Sequence, residues 1–158
     1  MDITLPPCGP YKTGVALSGH EDSVGADILV YFHNHSDQGP AMVLTPHGNT
    51  NNRWAFHDRG WAVEEEAFVL GLIGLKPEGL YVNSEHIHIS REEIIPPRTL
   101  LQLGYNRDAD TLLFIGRFEA NTIGFPEQGY AFKTIEVQAM LEPAGFNVPG
   151  PKKTEELH

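Results

Sequence analysis

A single cysteine, Cys8, stands among 158 residues, so no disulfide can close within the chain. The bridge-stapled scaffolds of small secreted proteins are thereby excluded. Basic residues are scarce too: 11 Lys and Arg face 21 Asp and Glu, a formal net charge of -10, and Lys12 is the only one before Arg53. A surface of that sign repels phosphate backbones and anionic headgroups, which argues against nucleic acid or membrane as the main partner. Long apolar runs are missing. The longest, "AFVLGLIGL", has nine residues including two glycines, against the roughly 20 that a bilayer-spanning helix needs. The start "MDITLPPCGPY" has no charged segment leading into an apolar one, and the expected compartment is the cytoplasm.

Uninterrupted segments are also in short supply. The 16 Gly and 12 Pro recur at close intervals, so few stretches offer the roughly 12 residues of an independently stable helix. What fills the gaps is apolar and aromatic runs of strand length, such as "ADILVYFHN", "AMVLTPH", "RWAFHDRGWAVE", "AFVLGLIGL", "TLLQLGY" and "TLLFIGRFE". With 41% hydrophobic residues the chain can bury one continuous core. The expected fold is a single all-β domain over residues 1–158, an antiparallel β-barrel or β-sandwich of about seven to ten short strands. The ends are rich in Pro and Gly without periodicity, and residues 1–14 and 143–158 are expected to be extended arms that either dangle or dock on a neighbour.

Local patterns sharpen parts of this. "LLQLGYNRDADTLLFIGRF" is two strand runs around a polar cluster, which predicts a hairpin. In "TIEVQAML" the residues Ile135, Val137, Ala139 and Leu141 alternate with Thr134, Glu136, Gln138 and Met140, which predicts a strand, with a helix as competitor because Glu, Gln, Ala, Met and Leu favour one. Val63 to Leu70, ended by Gly71, is the other helical candidate. "PHGNTNNRW", Pro46 to Trp54, is expected to be a long polar loop or a turn. Glu64, Glu65 and Glu66 are expected on a solvated face.

Histidines carry the chemistry that the sequence offers. His33 and His35 lie in "YFHNHSD" and His86 and His88 in "SEHIHIS". In a strand, residues i and i+2 share a face at a spacing of about 7 Å, so each pair presents two imidazoles in one direction. Imidazole suits zinc, iron, copper and nickel. With Glu92 following, His86, His88 and Glu92 resemble the first metal motif of the cupin superfamily, His-x-His followed by three or four residues and Glu. That resemblance implies a β-barrel holding a mononuclear zinc or iron. Cupins add a further histidine from well downstream, whereas no histidine lies between His88 and His158 here; further ligands must therefore come from upstream, from His33, His35, His47 or His57. Period 2 supplies the competing reading. Tyr81, Ile87 and Ile89 form an apolar face, and Ser84, His86, His88 and Ser90 form the polar one, so the strand is satisfied without any metal.

Trp54, Phe56 and Trp61 are candidates for an aromatic-lined groove, or for core. No phosphate-cradling Gly-rich loop, Cys-x-x-Cys pair or calcium loop is present. The leading expectation is a non-catalytic β module for binding or assembly, as a homo-oligomer or an accessory structural subunit of a larger particle. The alternatives are a metal-dependent enzyme using the His-x-His residues and a small-molecule-binding β-barrel.

Overall fold

The computed structural model of the protein describes residues 3–34 and 39–145; His35 and the tail from residue 146 onward lie outside them. In chain order the first strands are β1 (Gly9–Lys12), β2 (Leu29–His33), β3 (Met42–Leu44), β4 (Pro46–Thr50), β5 (Arg53–Phe56) and β6 (Trp61–Ala62). Helix α1 (Glu66–Leu70) and β7 (Ile73–Gly74) follow. Then come β8 (Gly79–Asn83), β9 (Ile87–His88), β10 (Ile94–Ile95), β11 (Leu100–Tyr105) and β12 (Thr111–Ile115). The last are β13 (Arg117–Glu119), β14 (Thr122–Gly124), β15 (Tyr130–Phe132), a 3₁₀ turn (Glu136–Met140) and β16 (Leu141–Pro143).

All pairing is antiparallel, as expected of an all-β chain. Two five-stranded sheets carry the fold, ordered β6-β3-β2-β1-β7 and β15-β12-β11-β8-β16. Both are open, and among the described residues no sheet closes into a barrel. Three two-stranded ribbons, β4-β5, β9-β10 and β13-β14, complete the structure.

Each sheet has its own apolar cluster. On the first, alternation sends Tyr11, Val30, Phe32 and Val43 to one face, where Leu17, Val24, Val63, Phe68 and Val69 cover them. Phe32 is wholly buried, a contribution of about 1.5–3 kcal/mol. Leu29 points the other way and joins the second cluster with Leu75, Tyr81, Ile87, Ile95, Leu101, Leu103, Leu113, Val137 and Leu141. The start of β2 is therefore buried on both faces, and its end, at His33, is only partly buried.

Several segments differ from the sequence-based expectation. The stretch from Gly9 is not part of an arm but a strand inside the first sheet, flanked by β2 and β7. Pro10 sits just past the end of the β1-β7 ladder, where Leu75 still donates its N–H to the Pro10 carbonyl at 3.2 Å and the proline gives up only one terminal bond. "TIEVQAML" is not a strand. The 3₁₀ turn buries two consecutive residues, Val137 and Gln138, which strand alternation would separate. Gln138 rewards that geometry: its side chain accepts from the Lys76 N–H at 2.9 Å and donates to Thr111 Oγ1 at 2.9 Å. The helical candidate from Val63 to Leu70 is helix over Glu66–Leu70 and ends at Gly71 as expected, whereas of the strand run "AFVLGLIGL" only Ile73–Gly74 is strand. "PHGNTNNRW" is a hairpin rather than a loop. Asn51 and Asn52 both take positive φ, 53° and 64°, which is the two-residue turn that matches strand twist. The predicted β11-β12 hairpin is present, with Tyr105 opposite Thr111. Its connection is held by Asn106, whose Oδ1 accepts from the N–H groups of Asp108 and Asp110.

Candidate functional site

The residues able to do chemistry gather on the face of the first sheet opposite its buried cluster. Pairing of β2 with β3 sets His33 beside Met42 and Tyr31 beside Leu44, so these four side chains share that face. The end of β5 comes down over them: the Phe56 ring is 5.5 Å from Tyr31, and Tyr31 is 5.8 Å from His33. His33, Met42, Leu44, Phe56, His57 and Asp58 wall an open cleft of about 360 Å³. A second cleft of about 460 Å³, lined by Thr45, His57, Asp58, Arg59 and Trp61, adjoins it across His57 and Asp58.

Backbone geometry fixes that shared ridge. The His57 N–H donates to the Thr45 carbonyl at 3.0 Å. Gly60 lies so close to β3 that a Cβ there would sit 1.9 Å from the Val43 carbonyl oxygen. No other residue fits, and the 57–60 segment is pinned between β5 and β6 as a result.

His47 meets His57 beside a register defect. Pro46 pairs with Phe56 and Gly48 pairs with Ala55, which leaves His47 as an extra residue in a β-bulge. A bulge re-aims side chains, and here both imidazoles end on the exposed face of the ribbon, ring centres 4.7 Å apart and planes inclined by 51°. Trp54 and Phe56 occupy the opposite face of the ribbon and pack on the second core cluster.

The aromatic candidates do not form one groove. Trp54 is held by its own chain: its indole N–H donates to the Tyr105 carbonyl at 2.7 Å, and the Arg107 guanidinium lies 5.0 Å from the ring centre. Trp61 packs on the first cluster and its ring is 6.1 Å from that of His20. Phe56 lines one cleft with His33 and His57, and Trp61 lines the adjoining one with His57. The Trp54 N–H also donates to both carboxylate oxygens of Glu78 at 3.2 Å. Burial pushes the Glu78 carboxyl up, and the bond from Trp54 together with nearby Arg53 only partly offsets it.

The other histidine pair stands apart. β9 pairs with β10, His88 opposite Ile94 and Ile87 opposite Ile95, whereas His33 belongs to the first sheet, so the strands carrying His33 and His88 are not neighbours. Face counting was correct for this ribbon: Ile87 is buried, Ile89 partly so, and His86 and His88 are exposed. Glu92 sits exposed in the tight connection, its N–H donating to Ser90 Oγ at 3.3 Å. Among the described residues no three His, Cys, Asp or Glu side chains converge into a metal-binding group. Of the acidic run, Glu64 and Glu66 are exposed, while half-buried Glu65 accepts from the Ser18 N–H at 3.0 Å.

Sequence reasoning missed the His47–His57 pair and the surface around Phe118. Two consecutive asparagines between apolar runs were the available signal for the hairpin that makes the pair. The bulge itself has no sequence mark. No protein-family model, curated protein or solved structure matches the chain.

Proposed function

We propose that the chain is a non-catalytic β module that works by protein association, and that its partner is a second copy of itself. The observation that supports this most is the β13-β14 ribbon. All of its strand residues are exposed, and Phe118 presents 81% of its surface to water. Beside it, Val82, Leu100, Phe118 and Ile123 line an open groove of about 450 Å³. Protruding and hollow apolar surface thus lie on one patch, the arrangement that a twofold pairing requires, since each copy then offers its ribbon to the groove of the other. Charge fits as well. Arg117 and Glu119 flank Phe118, and a twofold axis sets the arginine of one copy against the glutamate of the other. The groove's apolar lining residues and Phe118 are far fewer than the roughly 20–30 residues a side of a stable interface, so association should be concentration-dependent.

Sedimentation velocity from micromolar to hundreds of micromolar protein tests this. The wild type should shift from monomer toward dimer across the range, and Phe118→Ala should remain monomeric with an unchanged circular dichroism spectrum. A wild type that stays monomeric throughout, or a variant that dimerises equally well, refutes the proposal.

A further inference from the structure

We propose that His47 and His57 form a two-imidazole chelate for a divalent transition cation of the copper, nickel and zinc class. The distance is right for it. With metal–nitrogen bonds of about 2.0–2.1 Å, two imidazoles bound side by side hold their ring centres roughly 4.5–5 Å apart, and these stand at 4.7 Å. Their planes are inclined by 51° rather than stacked, which leaves ring edges free to converge.

The backbone supplies the second argument. Regular β4-β5 pairing would set residue 47 opposite residue 55; at the bulge His47 has no such partner, and its ring lies against that of His57. Both residues are exposed, so an ion from solution reaches them directly and keeps water in its remaining positions, as open imidazole sites do. The charged groups around the pair are Asp58, Arg59 and Arg107. Asp58 follows His57 and lines both clefts with it, and Arg59 lines one of them. Arg107 is turned away, donating to the Pro46 carbonyl at 3.3 Å and lying over Trp54. The site needs neutral imidazoles, and its ligand set belongs to one ribbon, so it does not depend on self-association.

The test is titration of untagged protein with Cu²⁺ at neutral pH, followed by isothermal calorimetry and by the nitrogen hyperfine pattern in electron paramagnetic resonance. One ion per chain with two coordinated imidazoles is expected. Because the second imidazole binds intramolecularly, His47→Ala or His57→Ala should each weaken affinity by roughly a hundredfold. The double variant His86→Ala, His88→Ala should leave it unchanged. Diethyl pyrocarbonate footprinting of the wild type gives a reading free of any folding defect in the variants: Cu²⁺ should protect His47 and His57 together. Loss of the tight site in the His86, His88 variant, its survival in either single variant, or protection of other histidines overturns the proposal.

Discussion

Gln138 joins three elements through one amide, which makes its replacement informative. The residue is buried, Lys76 N–H donates to its oxygen, and its nitrogen donates to the buried Thr111 hydroxyl. Around it, the Tyr105 hydroxyl donates to the Lys76 carbonyl, and Lys76 Nζ donates to the Leu141 carbonyl. Gln138→Leu keeps the volume but orphans two buried polar groups. Each costs about 1–3 kcal/mol, so the variant should lose about 2–6 kcal/mol, a fall in Tm of roughly 4–24 °C at about 2–4 °C per kcal/mol for a chain of this size. Thr111→Val orphans only the Gln138 amide nitrogen, about 1–3 kcal/mol. In the double variant the broken Gln138–Thr111 bond is counted once, so the combined loss should fall short of the sum by about 1–2 kcal/mol. Equilibrium urea unfolding, followed by the fluorescence of Trp54 and Trp61 and by circular dichroism, measures all four proteins. Strict additivity, or a Gln138→Leu effect below about 0.5 kcal/mol, would refute the idea that this amide ties the 3₁₀ turn to the second sheet.

Four further outcomes are expected. Gly60→Ala should cost about 1–3 kcal/mol or more in thermal unfolding, because the new methyl group meets the Val43 backbone carbonyl, which cannot yield as the neighbouring Leu44 side chain could. Asn52→Ala should cost about 1–2 kcal/mol in urea unfolding and Asn52→Gly less, since only glycine keeps the positive φ without strain while both lose the bond to Gln102. Burial pushes the Asp110 carboxyl up, but hydrogen bonds from Asn106 and Lys133 more than reverse this and hold it below the usual aspartate value. Ionised Asp110 therefore stabilises the fold above about pH 4, and its contribution disappears as pH falls through the lowered folded-state value; a pH series of urea midpoints should show Asp110→Asn with a flatter acid limb. Phe118→Ala should change monomer stability by less than about 0.5 kcal/mol at low protein concentration, because the side chain has little to lose within its own chain.

The legible parts of the fold were those where one local rule acted alone. Alternation around Ile87 and Ile89 assigned the buried face of that ribbon, and the cluster from Asn106 to Asp110 marked its hairpin because a single asparagine side chain closes the turn. Rules failed where two competed. Val137 and Gln138 sit in a sequence that alternates like a strand, yet a buried amide with two partners outweighed the pattern. Phe68 and Val69 lie in a run that reads as strand but also within the helical candidate ended by Gly71, and the helix, which covers Phe32 and Val43, is what forms. The candidate site was legible in composition but not in arrangement. His33, His47 and His57 were visible as imidazoles; that His57 shares a cleft with His33 and a ring contact with His47 depends on how the β4-β5 ribbon folds over the first sheet and on the close approach of Gly60, neither of which is written in residue order.

The two sheets also divide the chain in time. Residues 9–74 hold every strand of the first sheet, and β1, its earliest, pairs with β7, its latest; β8 and β16 stand in the same relation in the second. On a ribosome adding about 5–20 residues per second, the first sheet is complete several seconds before the last strand of the second emerges. In that interval it can close around Phe32 and Val43, but Leu29 and Leu75 have no partners yet, since those come from β8, β11 and β12. The half-made protein thus carries a small apolar flank that only its own later segment can cover, and that flank is where chaperone capture during synthesis should occur.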